Sequence, residues 1–72
     1  MRLNVEEMIF IAVFDTSTRE TAVQGIAEAL PQIEDRELEH IAEQSLLKLD
    51  RMSDEEFAAI DFSVYGEEGR HD

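Results

Sequence analysis

Apolar side chains recur at helical intervals through most of this chain, and the most regular run lies past its middle. Between Asp35 and Met52, the residues Leu38, Ile41, Ala42, Ser45, Leu46, Leu49 and Met52 follow one another at steps of three and four. That spacing puts them on one side of a 3.6-residue helix and predicts a central helix over about 35–52. Upstream, Val5, Met8, Ile9, Ile11, Ala12, Val13 and Phe14 are apolar nearly all round. The β-branched and aromatic run Ile9–Phe14 also suits a buried strand. Asn4 followed three residues later by Glu7 has the form of a capping box, and it decides for a first helix over about 5–14.

The cluster Asp15-Thr16-Ser17-Thr18 holds short polar side chains that compete for backbone hydrogen bonds, so a break belongs there. Ser17 with Glu20 forms a second capping-box pattern, opening a helix over about 18–30 that Pro31 ends. Gly25 inside that helix costs about 1 kcal/mol relative to alanine, which is reasonable where another element approaches closely. The connection 31–34 is short enough to make its flanking helices near-antiparallel neighbours, with Ile33 packed beneath it. Ser53-Asp54-Glu55-Glu56 gives a third capping box and a short fourth helix over about 54–60. Phe62, Val64 and Tyr65 are expected to fold back on the bundle. Residues 66–72 contain no apolar side chain and read as a mobile acidic tail. The prediction is all-α: a small bundle of three main helices and a short fourth, in a single domain over residues 1–65.

A chain of 72 residues buries only about 60% of the surface its unfolded form exposes, so its stability is expected to be modest or shared with a partner. It has no cysteine, which removes both disulfides and thiolate zinc sites as staples. Eighteen acidic against six basic side chains give a net charge of −12. Such a charge favours solubility, repels phosphate backbones and weighs against direct nucleic-acid binding. The start Met-Arg-Leu-Asn-Val-Glu-Glu reaches acids at once, and the apolar run Met8–Phe14 is far short of the roughly 20 residues of a membrane span. A cytoplasmic protein carrying its own N-terminus, with no membrane partner, is expected.

Catalytic chemistry finds little purchase. His40 lies three residues after Glu37 and three before Glu43, which is half of a carboxylate-bridged metal site; the other half is missing. Asp50, Met52 and Asp54 have a superficial calcium-loop spacing, but Glu55 stands where that loop needs glycine. No serine lies in a nucleophile-elbow sequence, and Gly25, Gly66 and Gly69 spell neither a dinucleotide nor a P-loop motif. No cofactor, metal or catalytic residue is expected, and an enzyme is disfavoured.

The acids at the starts of the last two helices, Glu37, Asp54 and Glu55 among them, stabilise helix N-termini. An alternative is that these carboxylates imitate a row of phosphates and occupy the basic groove of a nucleic-acid enzyme. Helix 1 carries more apolar surface than three later helices are expected to cover. Met8, Phe10 and Ile11 are therefore candidates for contact with another protein or a second copy of the chain.

Four stretches, Asn4-Val5-Glu6-Glu7-Met8, Asp15-Thr16-Ser17-Thr18-Arg19-Glu20, Ala29-Leu30-Pro31 and the run Leu49-Asp50-Arg51-Met52-Ser53-Asp54-Glu55-Glu56-Phe57-Ala58-Ala59, together resemble the transposon-transfer assisting protein family. The resemblance covers about residues 4–65. Ser17 departs from the glycine expected in that family's Thr-x-Thr-Arg turn. The family comprises small acidic proteins associated with conjugative transposons of gut Firmicutes, so the resemblance implies a mobile-element context; joined to the missing catalytic constellation and the charge of −12, it leads to an expected accessory role in transfer through a protein partner of the transfer apparatus. It brings no catalytic residues, because its motifs are helix caps and core positions.

Overall fold

The computed structural model describes residues 3–62, all of them in helices, turns or irregular connections. Four α-helices follow in order: α1 (Val5–Ala12), α2 (Arg19–Ala29), α3 (Arg36–Arg51) and α4 (Asp54–Ala58), with a 3₁₀ turn at Leu30–Gln32 between α2 and α3. The predicted all-α bundle is therefore the observed one.

Caps account for most of the helix boundaries. At α1 the Glu7 N–H donates to Asn4 Oδ1 at 2.8 Å while the Asn4 N–H donates to Glu7 Oε1 at 2.9 Å, closing the capping box read from the sequence. At α4, Ser53 and Glu56 make the same reciprocal pair at 3.0 and 2.8 Å. Asp35 Oδ1 accepts from the N–H groups of Glu37 and Leu38 at 2.8 and 3.2 Å and starts α3. Each such cap contributes about 1 kcal/mol by satisfying amides that have no helical partner.

Three boundaries differ from expectation. α2 is capped by Thr18 with Thr21, one residue later than the expected Ser17 and Glu20, because Asp15 Oδ1 already accepts from both the Ser17 N–H and its hydroxyl at 3.0 and 2.6 Å. α1 ends at Ala12 with Val13 as its C-cap, which leaves Phe14 outside the helix. α4 closes at Ala58, where the Ala59 N–H is shared among the preceding carbonyls. Pro31 ends α2 as expected, by drawing the chain into the 3₁₀ turn.

The core is formed by Ile11, Ala22, Ile26, Ala42 and Leu49, all without exposed surface, joined by Leu3, Met52, Phe57 and Phe62. α3 packs against both α1 and α2, and α4 packs against α2. Ile33 lies half-buried against this core beneath its connection. The ring of Phe62 comes back to within 5.3 Å of the Phe57 ring, in a tilted pair. The predicted fold-back thus holds for Phe62, whereas the expectations for Val64, Tyr65 and the tail 66–72 lie outside the described residues.

Gly25 has the close neighbour its position suggested. A Cβ built there would stand 3.1 Å from Cδ1 of Phe14, whose ring is packed edge-on to Phe10 at 5.1 Å. Phe14, just after α1, is thereby seated against the backbone of α2, a close approach that favours the residue without a side chain.

Candidate protein-contact surface

The geometry of α1 decides which of its apolar residues a partner can reach. Glu7, although ionisable, is only 3% exposed. Its carboxylate accepts from Lys48 Nζ on α3 at 2.8 and 3.0 Å while also holding the Asn4 amide. A buried carboxylate needs such partners, since removing either ion from water is costly without them. The pair therefore orients α1 on α3, with Glu7 and Ile11 turned inward.

The opposite side of α1 is left uncovered. Val5, Ile9 and Val13, each four residues apart, retain 60%, 42% and 74% of their surface exposed. At 1.5 Å per residue this row is about 12 Å long, or roughly two helical turns. The other large apolar side chains left exposed among the described residues are Leu38 and Leu47 on α3. They stand nine positions apart, or two and a half turns, and so face opposite ways. Isolated apolar residues of that kind are ordinary on a surface, while an aligned row on one helix is not.

The residues anticipated from sequence are distributed as follows. Ile11 is fully buried, so a partner does not reach it in this fold, and Met8 and Phe10 are half-buried against the core. Glu37 is exposed and lines an open groove with Glu6, Arg36, His40 and Ile41 alongside α1. Glu55 is also exposed. Asp54 accepts from Arg19 Nε at 2.8 Å, and Arg19 also donates to the Leu49 carbonyl at 3.0 Å. One guanidinium thus joins the start of α2, the end of α3 and the start of α4. Together with Asp35 and Glu56 in their caps, these bonds show several of the acids serving helix starts.

At the α1–α2 turn, the Ser17 hydroxyl and N–H hold the Asp15 carboxyl below its ordinary range. Among the described residues no group of three histidine, cysteine or carboxylate side chains is placed to hold a metal ion. No helix among them is long and apolar enough to cross a membrane.

The exposed row itself was not visible in sequence. A helix apolar on every side gives no preferred face, and only the docking imposed by Lys48 and Ile11 turns Val5, Ile9 and Val13 outward. The partial signal was Glu7: a carboxylate engaged in its own cap is also one that can be drawn inside.

The family model described as "Putative transposon-transfer assisting protein" matches residues 3–64. No curated protein and no solved structure matches the chain. The matched span includes the Asn4–Glu7 box, the Asp15–Thr21 turn, the Pro31 break and the Ser53–Glu56 box, all the elements that build the bundle. Across nearly its whole length, therefore, this chain belongs to the transposon-transfer assisting protein family.

Proposed function

We propose that the protein is a non-enzymatic accessory factor of a mobile genetic element, which assists conjugative transposon transfer in the cytoplasm by contacting a protein of the transfer apparatus. The family assignment supplies the context of transfer. The observation that carries the mode of action is the row Val5, Ile9 and Val13, which a chain with so small a core leaves in water. The charge of −12 favours a protein over nucleic acid as the partner, since phosphates are repelled.

The test is affinity purification of the tagged chain from its native host, with partners identified by mass spectrometry, together with the transfer frequency of the element after deletion of the gene. Recovery of a relaxase, a coupling protein or another transfer component, with a lowered transfer frequency on deletion, is the expected result. Recovery of no transfer protein and an unchanged frequency would overturn the reading.

A further inference from the structure

We infer that the outward face of α1 is a docking site for a cationic amphipathic helix, one whose apolar ridge is bordered by lysine or arginine. The inference rests on the protein-contact reading above and specifies its surface and the chemistry of its partner. Val5 and Ile9 on α1, continued by the C-cap Val13, stand at i, i+4 and i+8, a row suited to interdigitate with the corresponding ridge of another helix. A helical face also offers no unpaired backbone row to which a strand could add, so a helix rather than an extended peptide is the fitting partner.

Charge determines which helix. α1 carries Glu6 and Glu7 and no basic residue. Glu7 is buried against Lys48, whereas Glu6 is exposed and shares the groove beside α1 with Glu37, Arg36 and His40 on α3, where two carboxylates outnumber the one guanidinium. A partner lying on the ridge therefore has carboxylates on its Glu6 flank, and basic side chains beside its apolar ridge complement them. A second copy of this chain does not. Pairing two such faces brings Glu6 of each molecule to the same seam and sets −12 against −12.

The experiment uses the full chain and an 18-residue helical Leu/Lys peptide with its leucines on one face. Controls are a Leu/Glu counterpart and a shuffled peptide of the Leu/Lys composition. Binding is read by fluorescence anisotropy and by amide NMR shifts. The Leu/Lys peptide is expected to bind, with shifts concentrated at residues 5–13 and around Glu37 and His40, and both controls are expected to bind more weakly. The decisive variant is Val5→Asp with Ile9→Asp, which removes apolar contact while adding two negative charges. It is expected to weaken binding at least about tenfold, as truncation of central contacts does. Leu47→Asp, at an exposed apolar position elsewhere, is expected to leave binding within about twofold.

Unchanged or tighter binding by the double variant overturns the inference, because it shows attraction by charge alone. So do shifts centred on the start of α4 with none over residues 5–13, or self-association of the chain that the double variant abolishes. Both altered positions are exposed, and an aspartate at Val5 suits the first turn of a helix. Should the variant lose its circular-dichroism spectrum, Ile9→Ser alone is measured against the same criteria. In the host, transfer that fails on deletion but proceeds normally with the double variant overturns this surface and leaves the accessory role standing. Transfer that is indifferent to deletion overturns the accessory role, and the peptide measurements then judge the surface by themselves.

Discussion

α1 and α3 are both rich in apolar residues, yet they treat them in opposite ways. α3 sorts most of its side chains: Ala42, Ser45 and Leu49 are fully buried between its neighbours and its acids are exposed or half-exposed, with Leu38 and Leu47 the two large apolar residues it leaves outside, on opposite sides. α1 hardly sorts at all, burying Ile11 and a carboxylate while leaving Val5, Ile9 and Val13 in water. A helix whose pattern matches its burial serves the fold. One that carries more apolar surface than the fold consumes leaves that surface in water, which is why the contact proposed above lies beside the central helix rather than on it.

The sharpest way to break the comparison is Leu49→Ala on α3. Leu49 has no exposed surface, and the substitution should cost about 2–5 kcal/mol through lost burial and the cavity left behind. A domain of this size has a total stability of only about 4–10 kcal/mol, so a large fall in the urea midpoint is expected. By contrast, Ile9→Ser on the open face of α1 should stay within about 0.5 kcal/mol.

Lys48→Met tests how α1 is held. It leaves Glu7 buried with no counter-charge and is expected to cost about 3 kcal/mol by chemical denaturation. Adding Glu7→Gln, which keeps an oxygen for the Asn4 amide, should recover part of the loss. A double variant no more stable than Lys48→Met alone would show that the charge is not what orients the helix.

Gly25→Val probes the seat of Phe14 and should cost about 1–3 kcal/mol, since the contact at 3.1 Å leaves little room for a branched side chain. Gly25→Ala should come out near neutral, because a helix-propensity gain of about 1 kcal/mol offsets a small shift of the ring.

Smaller still, Ser45→Ala on α3 is expected to stabilise the fold by about 0.5–1 kcal/mol. The Ser45 hydroxyl is fully buried and has no hydrogen-bond partner among the described residues, and alanine is the better helix former. The smallest effect is at the turn joining the unsorted helix to the bundle. Asp15 titrates below its ordinary value of 3.8, so its contribution to stability is present above that range and is lost as the pH falls through the native value. Ser17→Ala removes the hydroxyl, the larger cause, but keeps the N–H, so an NMR titration should show the carboxyl moved only part of the way back up.

The bundle was legible from sequence because its boundaries are set by local chemistry. Asn4 with Glu7, Asp35, and Ser53 with Glu56 act within three residues of themselves, and Pro31 acts on its neighbours. Ser17 misled by one position because Asp15, two residues earlier, engages it more directly than the helix does. The candidate surface was less legible, since it depends on Glu7 meeting Lys48 across 41 positions of chain. Sequence periodicity carries no record of such a meeting. It identified α1 as over-supplied with apolar residues, but placed Ile11 on the open side, whereas tertiary packing put it in the core and left Val5, Ile9 and Val13 outside.

Arg19 has a consequence in time as well as in space. By bonding Asp54 and the Leu49 carbonyl it joins points 35 and 30 positions away along the chain, whereas the caps form within single turns. Local helices assemble before such distant closures, so the clasp belongs to the late, downhill side of the folding barrier. Arg19→Ala should therefore leave the refolding limb of a chevron in place and raise the unfolding limb. Arg19→Ala is thus expected to act on the lifetime of the native state rather than on its rate of formation, and modestly, because the Asp54 carboxylate it pairs with is largely exposed.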